Sequence, residues 1–320
     1  MKMVVLGSGG FCLPTFTQLL QSKHEVLAVI TMPLRTSRKG EKAGIPPMRQ
    51  AASDSRIPMF EPDNINSDEG INLMRRLKPD LLFVCDYGKI LSHKIIETAQ
   101  WGGLNLHGSL LPKYRGAAPI NRALLAGEKE LGVSVIHITP EVDAGPIINQ
   151  ASYFPELCET AVEIERHLAE MGAPLIIQAI DQIEKGTFRP IPQNMEKASN
   201  APKIKKEEGH IDWSQSADRI INQYRALQPW PKVFSEWIKK DFPDSTPTRL
   251  ILGPFQQMTD ASNDNNFLPG TVIAIHKNYF EIQTGKGILA VLELQPAGKK
   301  KMTAEVFLRG YPIKIGDLMK

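Results

Sequence analysis

Apolar runs alternate with amphipathic stretches along the first half of the chain. Residues Lys2–Leu6 and Val26–Ile30 have the almost continuous apolar character of strands that are buried on both faces. A glycine-rich turn at residues 7–10 and a helical spacing of apolar residues over 13–20 separate the two runs. A strand, a turn, a helix and a second strand in this order predict the start of a parallel sheet with helices on its faces.

The same alternation continues to about residue 183 and completes an α/β domain. We predict a doubly wound, mostly parallel, Rossmann-like sheet over residues 1–188. The predicted strands are Leu81–Val84, Gly103–His107, Val133–Ile138 and Ile147–Tyr153, and the predicted helices are Asp68–Leu77, a stretch after Leu91 and an amphipathic closing helix over Thr160–Ile183.

A change of pattern marks a second domain. Residues 189–206 are rich in proline, asparagine and lysine and lack helical periodicity, which predicts a linker. Residues 207–320 begin with a predicted helix at about 215–227 and continue as short β-rich runs between turn residues. These runs, at 271–275, 279–284 and 288–294, favour a small OB-like β-barrel.

Composition narrows the class of protein. Hydrophobic residues make up 42% and charged residues 23% of the 320, and no apolar run approaches the roughly 20 residues that span a bilayer. We therefore expect a soluble protein that is not inserted in a membrane. The first residues lack the pattern of a secretory signal, so we expect a cytoplasmic location. The net charge of +3 is too small to indicate nucleic-acid binding by itself.

Three cysteines, Cys12, Cys85 and Cys158, are too widely spaced for a paired metal motif. We expect all three to be buried apolar thiols in a reducing compartment.

The glycine-rich turn falls short of a dinucleotide-binding fingerprint. Cys12 stands at the third position of that motif, and the second strand ends in Thr31 and Met32 rather than in an acidic residue. The sequence therefore favours a tight turn between a strand and a helix over a nicotinamide or flavin site.

Two polar side chains share one face of the predicted strand Gly103–His107. Alternation along the strand places Asn105 and His107 together, with Leu104 and Leu106 on the other face. They lie near the carboxyl end of the strand, the edge at which open α/β sheets bind ligands. Taken alone, a histidine at a strand end is more often a structural residue than a catalytic one.

The residues that follow this strand favour a catalytic role for this histidine. The irregular loop Gly108–Ile120, together with Asp143 in the segment Glu141–Pro146, resembles the signature of the folate-dependent formyltransferases. The resemblance implies that Asn105, His107 and Asp143 are the catalytic residues. In such chemistry hydrogen-bond donors stabilise the negatively charged oxygen of a tetrahedral intermediate, and a carboxylate holds the histidine cationic or fixes its tautomer. No metal is expected, because His107 has no neighbour at ligand spacing.

The resemblance also implies 10-formyltetrahydrofolate as cosubstrate. The pterin is expected to be recognised largely through backbone groups of two segments. One difference from the family concerns Asp86, where many relatives carry a small apolar residue, so the details of the pocket differ here. The expected folate-binding residues are Ser109, Leu110, Leu111, Pro112, Asp86, Tyr87 and Gly88.

The second half of the chain indicates the formyl acceptor. Residues 203–213, 225–231, 285–287 and 294–302 resemble the linker, first helix and barrel of formyltransferases that act on methionyl initiator tRNA. Residues 135–148 are closer to the enzymes that formylate a purine precursor. A formyltransferase acting on an aminosugar nucleotide is a second alternative, and a catalytically inactive tRNA-binding protein is a third from another class.

Clusters of basic residues agree with a tRNA acceptor, although each cluster alone is more often a solvated face. Phosphate neutralisation by such side chains supplies much of the affinity of proteins for nucleic acids. We expect a monomer that binds the acceptor stem of the tRNA. The expected tRNA-binding residues are Arg35, Arg38, Lys39, Lys42, Arg49, Lys203, Lys205, Lys206, Lys299, Lys300 and Lys301.

Overall fold

A mostly parallel sheet organises the first half of the molecule in the computed structural model, which describes residues 1–33, 45–258 and 267–320. Within these ranges the sheet has seven strands in the order β3-β2-β1-β4-β5-β6-β7. The first five strands in this order run parallel, and β6 and β7 are antiparallel additions at one edge. The strands are β1 (Lys2–Leu6), β2 (Glu25–Ile30), β3 (Met59–Phe60), β4 (Leu81–Val84), β5 (Gly103–His107), β6 (Leu131–His137) and β7 (Ile147–Tyr153). The predicted α/β class is confirmed.

Helices cover the sheet and explain why its central strands are apolar throughout. Residues 3–6 of β1 and all of β4 are buried, as expected for strands enclosed on both faces. The Ser67 side chain caps one helix by accepting the Gly70 N–H. The helices are α1 (Leu13–Gln21), α2 (Pro47–Asp54), α3 (Asp68–Leu77), α4 (His93–Ile96), α5 (Pro119–Ala126) and α6 (Ala161–Glu184). No helix in the described ranges is long and apolar enough to cross a membrane.

The register of β5 and β6 decides where the functional loops begin. His107 lies opposite Ser134, and Leu104 lies opposite His137. Because the two strands are antiparallel, β6 ends beside the beginning of β5, at the far end from His107. The segment between β6 and β7 therefore has to fold back to approach His107.

The second half consists of antiparallel strands, as the β-rich runs predict. Among the residues described there, one sheet has the order β10-β13-β12-β11 and the other β15-β14-β9-β8-β16. The predicted run 288–294 is two strands, because the chain passes from one sheet to the other at Leu292. The elements are α7 (Ala217–Ala226), β8 (Phe234–Ile238), β9 (Thr248–Leu252), β10 (Phe255–Met258), β11 (Val272–Ile275), β12 (Phe280–Gln283), β13 (Ile288–Val291), β14 (Glu293–Pro296), β15 (Met302–Thr303), α8 (Ala304–Gly310) and β16 (Leu318–Met319).

The chain divides into two compact units, each of which is made of three separate stretches of the sequence. The first unit comprises Met1–Ala123, Lys129–Glu156 and Glu163–Lys203. The second comprises Leu124–Glu128, Leu157–Val162 and Ile204–Lys320. Most of the predicted linker 189–206 therefore belongs to the first unit.

The prediction for the cysteines is wrong at one position. Cys12 and Cys85 are buried, but Cys158 is exposed, and none of the three forms a disulfide with a described residue. Cys158 lies between β7 and α6, in a stretch where neighbouring side chains such as Leu157 are also exposed. The local sequence offers no apolar spacing there that would have separated this cysteine from the buried pair.

Core burial in the first unit gives a stability prediction. Phe83 on β4 is completely buried, whereas Phe154 at the end of β7 is 68% exposed. Phe83→Ala is expected to lower the free energy of unfolding of this unit by about 3–5 kcal/mol, because it removes a buried ring and leaves a cavity. Phe154→Ala is the matched control and should change it by less than about 1 kcal/mol. Urea unfolding followed by circular dichroism measures both, and equal losses would contradict the burial described here.

Candidate active site

Asn105 is fixed by the neighbouring strand. Its Nδ2 donates to the Val84 carbonyl oxygen at 3.1 Å, across the parallel pairing of β4 with β5. A carbonyl only accepts, so the amide nitrogen has to face it, and this sets the orientation of the carboxamide. The Asn105 Oδ1 is buried and has no hydrogen-bond partner among the described residues. An unpaired buried acceptor is costly, so this atom has capacity for a further donor.

His107 lies between two oxygen atoms. Its Nε2 is 2.8 Å from the carbonyl oxygen of Tyr114, and its Nδ1 is 3.5 Å from Oδ2 of Asp143. The side chain is 7% exposed, so neither nitrogen has free access to bulk water. The Tyr114 carbonyl can only accept, so a hydrogen on Nε2 suits the shorter of the two contacts. The Asp143 carboxylate lies beyond ordinary hydrogen-bond length from Nδ1.

The loop after β5 presents the Tyr114 carbonyl to this ring. Tyr114 has a left-handed backbone, with φ of 62°, and its N–H donates to the Ser199 Oγ at 2.9 Å. Within the same loop the Ser109 hydroxyl donates to the Lys113 carbonyl at 2.7 Å. Ser134 on β6 donates to the Ser109 carbonyl at 2.6 Å and accepts from the Leu111 N–H at 3.0 Å. The loop is thus held by its own side chains and by the adjacent strand.

Asp143 completes the cluster from the segment between β6 and β7. Its backbone is left-handed, with φ of 50°, a conformation that aspartate tolerates better than most residues. Its Oδ2 accepts the Gly116 N–H at 2.9 Å, so the loop after β5 also holds the carboxylate. The structure therefore brings His107 and Asp143 together and leaves Asn105 two residues away on the same strand.

Two further side chains join these loops, and sequence reasoning missed both. The Arg115 guanidinium donates through Nε and Nη2 to the Gln193 Oε1, at 3.0 and 2.7 Å. The Gln193 amide donates to the carbonyl oxygens of Asp143 and Gly145, at 2.8 and 2.7 Å. Gln193 stands 50 residues after Asp143, in a stretch without periodicity, so no local pattern could have identified it.

The expected folate-binding residues differ in solvent exposure. Ser109, Leu111 and Tyr87 are buried, and burial raises the pKa of Tyr87 to about 12. Ser109 and Tyr87 therefore offer backbone rather than side-chain groups. Leu110 and Pro112 are half-buried, and Gly88, with φ of 80°, is exposed.

Asp86 stands out among these residues. Its backbone is left-handed, with φ of 52°, and a β-carbon on Gly9 would overlap its carboxylate, so the glycine is required for this approach. The side chain reaches solvent, yet the surrounding protein removes enough water to raise its pKa. Burial and the charge of Asp86 likewise raise the pKa of Glu165 on α6.

The expected tRNA-binding residues are only partly described. Arg35, Arg38, Lys39 and Lys42 lie outside the described residues. Arg49 forms an ion pair with Glu61, so its positive charge is partly neutralised within the protein and is less available to a phosphate. Lys301 is exposed but pairs with Glu293. The other lysines are all exposed, namely Lys203, Lys205, Lys206, Lys299 and Lys300.

Solved structures share this fold. HypX from Aquifex aeolicus in complex with tetrahydrofolic acid has a TM-score of 0.64 at 16% identity, over 100% of this chain and 50% of that one. An N-formyltransferase from Helicobacter canadensis, in complex with folinic acid and dTDP-3-aminofucose, has a TM-score of 0.65 at 20% identity, over 94% and 100% of the two chains. These likenesses support the fold.

Sequence comparison identifies the family. Curated proteins named methionyl-tRNA formyltransferase include one from Moorella thermoacetica, 37% identical over 100% of this chain and 99% of its own length. Another, from Desulfotalea psychrophila, is 35% identical over 100% and 96%. Residues 1–180 match the family model described as formyl transferase, and residues 203–312 match that of its C-terminal domain. Two domain matches in this order, with relatives aligned over their whole length, show that the chain belongs to the formyl transferase family.

Proposed function

We propose that the chain transfers the formyl group of 10-formyltetrahydrofolate to the amino group of methionyl initiator tRNA. The observation that carries the proposal is the cluster of Asn105, His107 and Asp143 in a chain that aligns over its whole length with enzymes of that name. All three side chains come from one chain, which supports a monomer as the working unit. Protein synthesis supplies the acceptor in the cytoplasm, and the reaction is proposed to take place there.

The proposed step is an acyl transfer. The acceptor nitrogen forms a bond with the formyl carbon, the bond from that carbon to N10 of the folate breaks, and the proton of the amine moves to N10. The formyl oxygen carries negative charge in between. Donors already in place stabilise such an oxygen without reorganisation.

Each residue of the cluster has a distinct part in this step. The ring of His107 and the second N–H of Asn105, which Val84 does not use, are the proposed partners of the developing negative charge. The unpaired Oδ1 of Asn105 accepts an N–H of the attacking amine. Asp143 takes the proton of the amine on its way to N10. The 3.5 Å between Nδ1 of His107 and the carboxylate exceeds a normal hydrogen bond, which leaves Nδ1 available to the substrate.

The folate is proposed to lie against the loop after β5 and the end of β4. Backbone groups of residues 109–112 and 86–88 are the recognition elements there, since the side chains of Ser109 and Tyr87 are engaged or buried within the fold. Asp86 is the first residue of the second of these segments, and its side chain is exposed.

The acceptor is inferred from the second half of the chain. The relatives named for methionyl-tRNA share that half, and five exposed lysines, Lys203, Lys205, Lys206, Lys299 and Lys300, suit a phosphate backbone. An aminosugar nucleotide is the second candidate, because the Helicobacter canadensis structure of the same fold holds one. Transfer from labelled formylfolate to each acceptor separates the two. Activity on the aminosugar nucleotide alone would reject the tRNA assignment.

Removal of a member of the cluster tests the mechanism. His107→Ala and Asp143→Ala are each expected to lower kcat on the order of 10²- to 10³-fold, because the oxygen of the intermediate loses its preorganised stabilisation. His93→Ala is the control, since His93 is 69% exposed and pairs only with Glu97 among the described residues. Rates are measured by formyl transfer with saturating substrates, and folding by circular dichroism. Near-normal turnover in both variants would overturn the assignment.

Asp86 is predicted to weaken folate binding. Its pKa is raised by burial, so the charged form is disfavoured there, and a bound folate would bury it further. Asp86→Ala should lower the KM for formylfolate on the order of twofold to fivefold. The effect on KM is small because solvent screens the charge of the exposed carboxylate. The difference should shrink as pH falls through the raised pKa, because the protonated side chain carries no charge. An increase in KM would show instead that the carboxylate binds the pterin.

The exposed lysines near the barrel give a prediction for tRNA affinity. Replacing both Lys299 and Lys300 by alanine should weaken binding and lower the slope of log affinity against log salt by roughly 0.7 to 0.9 for each phosphate that is no longer neutralised. Lys314→Ala is the control, because Lys314 pairs with Asp241 at 2.6 Å. Filter binding across a salt series measures the slopes. An unchanged slope in the double variant would remove these lysines from the tRNA site.

A further inference from the structure

We propose that Gln193 is a positioning residue for formyl transfer, which holds Asp143 at the distance from His107 that the reaction needs, and that Arg115 fixes the orientation of the Gln193 amide. The inference rests on the proposed function, because it assigns a part in the same step to residues that do not touch the substrates. It extends the site to a third segment of the chain, residues 191–201.

Asp143 needs such a support because the sheet does not place it. The segment after β6 leaves the sheet beside Leu104, at the far end of β5 from His107, and folds back. Asp143 also has a left-handed backbone, which is less favourable for a residue with a β-carbon. Strand geometry therefore cannot fix the position of the carboxylate. Contacts made by the folded-back segment have to do so.

Gln193 supplies these contacts through the nitrogen of its side-chain amide. Its Nε2 donates to the carbonyl oxygens of Asp143 and Gly145, on either side of Ala144. Two bonds from one nitrogen to carbonyls two residues apart define the curvature of the segment. With the Gly116 N–H on the carboxylate, Asp143 is held at its backbone and at its side chain. Without Gln193 the side-chain bond to Gly116 and the bond from the Ala144 N–H to the Glu141 carbonyl remain, but the two bonds to the carbonyls of Asp143 and Gly145 are lost.

Arg115 determines which way the amide of Gln193 points. Two parallel N–H groups of the guanidinium meet the Gln193 Oε1, so a flipped amide would place its NH₂ group against a cation. Arg115 is 8% exposed, and its backbone is fixed in turn. Its N–H donates to the Ser199 carbonyl at 2.8 Å, and its carbonyl accepts the Ala201 N–H at 2.6 Å. The same segment therefore carries Gln193 and anchors the residue that orients it.

The arrangement predicts an effect on turnover rather than on binding. Gln193 contacts the segment of Asp143 and not the loop residues 109–112 that are proposed to hold the folate. A displacement of a catalytic group by about 1 Å can cost roughly 10²-fold in rate. Gln193→Ala is therefore expected to lower kcat about 10- to 100-fold, with the KM values for formylfolate and for the acceptor changed by less than about threefold.

Three variants test this. Gln193→Glu keeps the shape and the acceptor for Arg115 but turns an oxygen toward the two carbonyls, so it should lose at least as much kcat as Gln193→Ala. A role in packing alone would leave the glutamate variant close to wild type. Asn149→Ala is the matched control, because it removes another half-buried carboxamide bond, to the Leu175 carbonyl at 3.1 Å, and should leave kcat unchanged.

Combining the Gln193 and Asp143 variants shows whether Gln193 acts through Asp143. In an Asp143→Asn background, Gln193→Ala should lower kcat by less than about twofold further, because the group that it positions is already disabled. A full additional loss would show that Gln193 acts by another route and would overturn the proposal, as would a normal kcat in the glutamate variant. The assays use whichever amine the wild-type enzyme formylates. An inactive wild type contradicts the proposed function, whereas an active wild type with an unaffected Gln193→Ala contradicts only this inference.

Discussion

The site depends on one imidazole ring held between two acceptors. His107 has a carbonyl oxygen at one nitrogen and a carboxylate at the other, and it has little access to water. The surrounding loops are arranged to keep both oxygens in place. Tyr114 is held through Ser199, and Asp143 through Gly116 and Gln193.

Much of the first domain could be predicted from the sequence because its central strands are fully enclosed. The bounds of β1 and β4 agree with the apolar patterns, since a strand covered on both faces has to be apolar along its length. The bounds of β5 and β7 also agree, although β7 is an edge strand that is half-buried or exposed along its length. The division of residues 288–294 into two strands was harder to predict from the sequence. A strand that passes from one sheet to another stays apolar through the change, so the hydrophobic pattern does not mark the break at Leu292.

The candidate site could be predicted only where its residues are close in sequence. Asn105 and His107 lie two residues apart on one strand, and alternation places them together. Asp143 depended on resemblance to a family, because its approach to His107 requires a segment to fold back across the register of β5 and β6. Arg115 lies in the loop that resembles the family signature, but nothing in the sequence indicated its partner Gln193. A carboxamide that bonds only to backbone carbonyls and one guanidinium has no periodicity and no local partner.

This division between strand and loop separates the residues that the sheet places from those that other segments hold. Asn105 and His107 are placed by hydrogen bonds within the sheet, which do not involve the acceptor. The second domain of antiparallel strands carries Lys299 and Lys300. The link that couples the chemistry to the rest of the chain is the segment 191–201, because it holds Asp143 through Gln193 and the loop after β5 through Ser199. Movement of this segment would displace both oxygens around His107 together, because Ser199 holds the Tyr114 backbone and Gln193 holds the Asp143 backbone.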